Sequence, residues 1–437
     1  MRLVLLSVSL AMLPLPAISP AADSVPATSS PNATLGSWNG WRGPKRDGQS
    51  PDVGLLKDWS AKPPSLAWTA DGLGAGYASI SLADGQLYTT GNFPDGQKVT
   101  ALDPVAGKVV WSTPITDAAP GHKHEGSRST PAIDGDRLYV VASSGKIVCL
   151  KTKDGSVVWA RDFADFGGKL MSGWGFSESP LVDGDRVLCT PGGADALVVA
   201  LDKLTGKDLW RAAGKDLGTK GKDGAGYSSM VVSEACGVRQ YVQLVGRGVV
   251  GIRASDGKLL WNYNDVANGT ANIPTPLVSG DQVFCSTGYR TGSALLTLTK
   301  DGDGIKCAEN YFLSGEKLQN HHGGMILKDG YVYCGHAHNS GFPICVEMAT
   351  GKIAWGGDQR GPGSGSAAVT YADGHLVFRY QSGEVALIEA TPSGYHLKGS
   401  FKPVVVGKNP CWAHPVVIGG KLYLRDQDKL MCYDVRE

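Results

Sequence analysis

The sequence predicts an all-β chain that folds as an eight-bladed β-propeller with four-stranded blades, closed by pairing the two ends of the chain. Three observations carry that expectation. A turn ending in tryptophan recurs along the chain, a hairpin signal precedes its copies, and the copies at the two ends are incomplete.

The recurring unit is plainest in ALDPVAGKVVW (101–111), LKTKDGSVVW (150–159), ALDKLTGKDLW (200–210), IRASDGKLLW (252–261) and VEMATGKIAW (346–355). Degenerate copies cover residues 300–311 and 392–401, and Trp68 ends a half-copy near the N-terminus. The anchors fall at 68, 111, 159, 210, 261, 311, 355 and 401, so neighbours are 43 to 51 residues apart. Upstream of the anchors come TPAIDGDRLYV (130–140), SPLVDGDRVL (179–188) and TPLVSGDQVF (275–284). Apolar runs flanking an Asp-Gly or Ser-Gly pair read as tight β-hairpins. Each unit is therefore strand A, turn, strand B, loop, strand C, Gly-Lys turn, strand D. Units of four strands at a period of roughly 40–50 residues are propeller blades. One blade cannot cover both of its faces, whereas a closed ring buries them and leaves only short edges. Residues 414–434 supply three strands and the segment ending at Trp68 supplies the fourth, which brings the count to eight. The anchor tryptophan, on the outermost strand, is expected to pack across to the next blade.

Glycine, at 60 of 437 residues, suits such a chain, because it reaches positive φ at little steric cost. A net charge of +1 offers no basic excess for phosphates, which argues against nucleic-acid binding. Arg2, the apolar run 3–13 and Ser19-Pro20-Ala21 read as a signal peptide over residues 1–22. A flexible linker over 23–37 and the propeller over 38–437 are expected to follow. The mature protein is then expected to be a periplasmic or secreted monomer without a transmembrane anchor. The first of the nine cysteines is Cys149, so no lipid-anchoring cysteine is expected near the cleavage point. Cys189, Cys285 and Cys334 share one position in the repeat, and Cys149, Cys345 and Cys432 share another. That recurrence predicts small buried hydrophobes rather than a disulfide framework.

With strand A lining the central channel, the loops leading into A and the B–C loops open on one face. Alignment of the units places Tyr77, Arg128, Trp174, Phe176, Glu178, Tyr227, Asn272, His321, His322, Ser364 and Trp412 at that mouth. The B–C loops add Tyr289, Arg290, His336 and His338. A concave mouth with aromatics and a few polar groups is the default ligand site. The alternative is that these residues fill the funnel and satisfy loop backbones. The pairs His321-His322, His336 with His338, and His122 with His124 lack a Cys or carboxylate at matching spacing, so no transition-metal site is expected. Glu178 and Asn272 are candidate oxygens for Ca²⁺, although two ligands fall short of the usual 6–8. No nucleophile elbow, phosphate loop or zincin helix is present.

The ALDxxxGKxxW units resemble the tryptophan-docking repeats of dehydrogenases that use pyrroloquinoline quinone (PQQ). They are equally similar to the repeats of the BamB-type outer-membrane assembly factor. The resemblance covers residues 68–437, and WNGWRGP (38–44) resembles the N-terminal stretch of secreted members of this superfamily. Resemblance to the dehydrogenases implies PQQ with calcium, an adjacent Cys-Cys disulfide, a calcium-ligand set and a catalytic Asp. This chain has no Cys-Cys pair, and Asn320-His321-His322 stands where the Asp is expected. Glu178 and Asn272 are the residues left for calcium, and Trp174 or Trp412 for stacking on a planar ring. The function expected is an extracytoplasmic binding or scaffold protein for a protein or small-molecule partner. A PQQ-dependent alcohol or sugar dehydrogenase and a carbohydrate or small-ligand module are the alternatives.

Overall fold

The computed structural model describes residues 36–437. The expected signal peptide and residues 23–35 of the expected linker lie outside the described residues.

Eight four-stranded antiparallel sheets form the ring. Blade 1 runs from Ser81–Ala83 through Gln86–Phe93 and Gly96–Leu102 to Val109–Pro114. Blade 2 begins at Ala132–Asp134, blade 3 at Leu181–Asp183, blade 4 at Val231–Ser233 and blade 5 at Leu277–Ser279. Blade 6 begins at Asn320–Lys328 and blade 7 at Ala367–Ala372. Blade 8 combines Val416–Ile418, Lys421–Asp426 and Lys429–Asp434 with the N-terminal strand Ser65–Ala70. That closure pairs Ser65 with Asp434, Trp68 with Cys432 and Ala70 with Leu430. Among the described residues no helix is long and apolar enough to cross a membrane.

The second and third strands of a blade are covered on both faces by neighbouring blades, so they read as unbroken apolar runs. Arg137–Ala142 (RLYVVA) is buried from Leu138 onward. Outer strands such as Val157–Asp162 have one open face and alternate. Eight apolar clusters result, one at each junction between blades. In that of blades 2 and 3, Tyr139, Val141 and Cys149 meet Val187, Cys189 and Leu201. All nine cysteines are free thiols and seven are buried, as expected of core hydrophobes.

The anchor tryptophans join the blades. Trp111 Nε1 donates to the Thr152 carbonyl of the next blade at 3.0 Å, and Trp159 to Lys203 at 3.0 Å. Trp68, Trp210 and Trp355 do the same to Pro104, Ala254 and Thr391. The ring lies on the glycine of the neighbouring turn. A Cβ on Gly155 would meet the Trp111 ring at 2.5 Å, and Gly155 also sits at φ +69°. Tyr311 keeps the pattern with a hydroxyl, donating to Met348 at 2.6 Å. Trp261 departs from it. Blade 5 ends in one long hairpin, Gly292–Asp301 with Gly304–Ser314, and has no Gly-Lys turn to receive an indole. Trp261 folds back over Gly251 and donates to Gln240 of its own blade.

A belt of side-chain hydrogen bonds ties the inner strands. Ser79 N donates to Thr130 Oγ1 at 3.1 Å, Thr130 N to Ser179 Oγ at 2.9 Å, and Ser179 N to Ser229 Oγ at 3.0 Å. The hydroxyls just ahead of these inner strands therefore link blades 1 to 4 in series.

Residues 36–64 form no blade. They cross the ring at the end opposite the expected mouth, on the side of the A–B turns. Trp38 pairs with Leu82 of blade 1, and Asn39 accepts from Ile133 of blade 2 at 2.8 Å. Arg46 donates to the carbonyls of Ser179 and Pro180 at 2.8 and 3.1 Å. Trp41 Nε1 donates to Thr275 Oγ1 at 3.2 Å, and Arg42 donates to Met325 O of blade 6. Ser50 and Leu56 then bond blades 7 and 8 through Tyr371 and Val435, each at 2.8 Å. The strap thus holds seven of the eight blades.

Candidate functional site

The loops leading into the inner strands surround a cavity of about 370 Å³ on the ring axis. Tyr77, Arg128, Trp174, Tyr227, His321, His322 and Trp412 line it, as the aligned repeats predict. Tyr289, His338 and Gln381 join from the B–C loops. The bottom is closed by Trp41 of the strap, whose ring lies 4.5 Å from that of His414. The funnel therefore has a floor.

Four expected mouth residues, Phe176, Glu178, Asn272 and Ser364, stand elsewhere. Phe176 packs edge-on against Phe163 at 5.0 Å in the core between blades 2 and 3. Glu178 is buried behind the wall, where it accepts from Thr190 N at 2.6 Å, Thr190 Oγ1 at 2.9 Å and Gln243 Nε2 at 2.9 Å. Asn272 is fully buried, donating to Val245 O and Gly246 O and accepting from Asn268 N. The reason is the two-residue alternation of an extended chain. Ser177 and Ser179 face the cavity, so Phe176 and Glu178 face the blades. Among the B–C residues, His336 accepts from Gln319 N at 3.2 Å and is structural. Arg290 and Ser364 do not line the cavity.

The walls are aromatic. Tyr77 and Trp412 lie 4.9 Å apart, and Trp174 meets Tyr227 edge-on at 5.7 Å. On one side the rings of His321 and His338 are 4.0 Å apart, and those of His321 and His322 are 4.2 Å apart. His321 bonds Ser366 Oγ at 2.7 Å and Tyr289 OH at 3.1 Å. Burial pushes His322 and His414 down to about 3, so both are neutral at physiological pH. Among the described residues, Arg128 is the one permanently charged group on the wall. Burial lowers its guanidinium to about 10, which leaves it a cation at neutral pH. It lies 5.3 Å over the Tyr77 ring, and its terminal nitrogens bond the carbonyls of Lys123, His124 and Gly126 and the ring of His122.

The repeats alone did not point to Trp41, His414 or Gln381. Trp41 carried a signal, since a Trp- and Arg-bearing segment ahead of the first blade has no place in the repeat.

Glu178 has a titration consequence. Burial pushes its carboxyl from the ordinary 4.5 up to about 8, opposed by the Thr190 bonds and by Arg46. Between those pH values the folded chain holds a proton that the unfolded chain has released, so this group's contribution to stability falls as pH rises. Glu178→Gln is expected to remove a slope of about 1 kcal/mol per pH unit in that window. Urea unfolding of both proteins between about pH 5 and 8 measures it, and parallel curves would contradict it.

Eight blades around a floored, aromatic funnel make this a β-propeller of the PQQ-like-repeat class. The chain belongs to the family described as outer membrane protein assembly factor BamB, whose model matches residues 95–357. BamB of Alteromonas naphthalenivorans is 31% identical over 129 residues, which is 26% of this chain and 30% of that relative. The match thus spans less than a third of the relative's length. Among solved structures, BamB from Moraxella catarrhalis aligns at 13% identity with a TM-score of 0.60, over 85% of this chain and 97% of that one. The quinohemoprotein alcohol dehydrogenase of Comamonas testosteroni aligns at 13% identity with a TM-score of 0.63, over 91% and 80%. At such identities the two structures share the fold alone.

PQQ with calcium does not fit the residues at this site. Calcium needs several hard oxygen ligands. Among the described residues the wall carries no carboxylate, and the oxygens of Glu178 and Asn272 are turned into the blades and already hydrogen-bonded.

Proposed function

We propose that the protein is an extracytoplasmic, non-catalytic binding propeller that holds its ligand in the blind funnel. The observation that carries this reading is the Trp41 floor, which turns the axial channel of a ring into a closed-ended, aromatic-walled pocket. Export is supported by the apolar N-terminal run and by membership in a family described as an outer-membrane assembly factor. The commitment of Glu178 and Asn272 to the interior speaks against the dehydrogenase alternative.

Absorbance titration with PQQ and Ca²⁺ is the deciding experiment. No saturable spectral change is expected. Saturable binding, with turnover of an alcohol or sugar, would replace the binding reading with an oxidoreductase one.

A further inference from the structure

We infer that residues 117–125 form a lid over the funnel mouth and that Arg128 latches this lid rather than meeting the ligand, an inference that rests on the binding reading above. Three features of the loop converge on it.

The first is how little else holds it. Residues 117–125 lie between the last strand of blade 1 and the first of blade 2, in neither helix nor strand, and seven of the nine are exposed. Among the described residues their backbone makes one hydrogen bond to another loop, from Lys123 N to Gly173 O at a long 3.4 Å. The His122 ring adds a side-chain contact, Nε2 with Ser143 Oγ at 3.1 Å. A segment with so few buried contacts opens at a small fraction of the cost of unfolding the ring, and lids are drawn from such segments.

The second is that the Arg128 guanidinium is committed to this loop. Nη2 donates to the carbonyls of Lys123 at 3.1 Å and His124 at 2.5 Å. Nη1 donates to Gly126 O at 3.1 Å and meets the His122 ring at 3.2 Å. The stretch from His122 to Gly126 is thus folded around one side chain, and only a planar fork reaches such a set of acceptors. His124 is held at φ +50°, a left-handed conformation that a non-glycine residue keeps only where its surroundings impose it. Gly126 is the fixed end of the loop. It sits at φ +130°, and a Cβ there would meet Gly76 Cα at 2.7 Å.

The third is where the tip lands. His124 lines the funnel, and its ring sits edge-on to Trp412 at 4.9 Å. Trp412 is itself fixed, since its indole donates to Gln381 Oε1 at 2.8 Å and its ring lies 4.9 Å from those of Tyr77 and His322. The loop therefore reaches from the entry to blade 2, past the Tyr77 ring on which Arg128 lies, to the entry to blade 8. Opening it clears the mouth and leaves the walls in place. Such a lid sets how fast a ligand enters and leaves, and it keeps water away while the ligand is bound.

Pulse labelling of the intact protein with diethyl pyrocarbonate, which modifies neutral imidazoles, tests this when read by peptide mass spectrometry. His322, whose Nε2 is buried and without a partner among the described residues, reports on the funnel. Exposed His396 is the reference, and His336, buried in blade 6, is the control for unfolding. Relative to His396, labelling of His322 is expected to speed at least ~10-fold in Arg128→Gln, the factor that loss of one charge-assisted hydrogen bond corresponds to. Arg128→Lys keeps the charge but not the fork and is expected to behave as the Gln variant does. His124→Ala removes only the tip contact and is expected to give a smaller rise. An unchanged His322 rate, full rescue by Lys, or a parallel rise at His336 would overturn the lid. The neutral fluorophore N-phenyl-1-naphthylamine separates this result from the binding reading. It is expected to bind saturably and to leave Arg128→Gln at least ~10-fold faster than the wild type. A silent fluorophore beside a shifted label would count against the binding reading and leave the lid standing. A bound fluorophore beside an unchanged label would overturn the lid alone.

Discussion

Removal of residues 428–437 is expected to leave no cooperatively folded protein. The strand Lys429–Asp434 lies between Lys421–Asp426 and Ser65–Ala70, so its loss deletes two ladders and strands the N-terminal segment without a partner. Its side chains serve both neighbouring junctions. Leu430 and Cys432 face the cluster shared with blade 1, and Met431 and Tyr433 face that shared with blade 7. All four are 0–3% exposed. At about 1.5–3 kcal/mol for each large apolar side chain, their loss is on the order of a whole domain's stability of about 5–15 kcal/mol. Opening the ring also bares two blade faces to water. The single substitution Met431→Asp tests the same junction more gently, and a cost of about 3 kcal/mol or more is expected for an unpaired buried carboxylate. Denaturant unfolding with near-UV circular dichroism reads both. A truncated chain that kept one sharp transition would show that the ring does not depend on its closure.

That closure was legible because it follows from counting. Each blade contributes one turn-and-tryptophan unit, the chain ends in halves of a unit, and Trp68 lands on the strand beside Cys432 as the count requires. The docking partners were legible for the same reason, since the glycine turn lies at a fixed offset from each anchor. Trp261 broke the rule because its receiving blade lost the turn, a property of the neighbour rather than of its own segment. The site was legible only to within one residue. Repeat alignment names the loops that converge, but side chains along an extended loop alternate, and one step of register moved Glu178 from the wall into a blade. The strap was hidden for a different reason. Its contacts with seven blades arise from a path across the ring, and a non-repeating path leaves no periodic trace.

Two substitutions within that strap are expected to separate stability from binding. Trp38 is 1% exposed in the cluster joining blades 8 and 1, and its backbone exchanges two hydrogen bonds with Leu82 at 2.7 and 2.9 Å. Trp38→Ala leaves a large cavity and is expected to cost about 3–5 kcal/mol, measured as a shift in the urea midpoint. Trp41 sits only three residues on, but it is half-buried, with one face toward the funnel and a single indole hydrogen bond to Thr275. Trp41→Ala is expected to cost under ~2 kcal/mol of stability. It also removes the floor and the stacking face, so any ligand held in the funnel is expected to lose at least ~10-fold in affinity. Isothermal titration with whichever probe binds the wild type checks this. Had the strap been only a brace, both substitutions would lower stability and leave affinity untouched in the fraction that remains folded. A Trp41 variant that binds as the wild type does would place the ligand above the floor, against the loop residues alone.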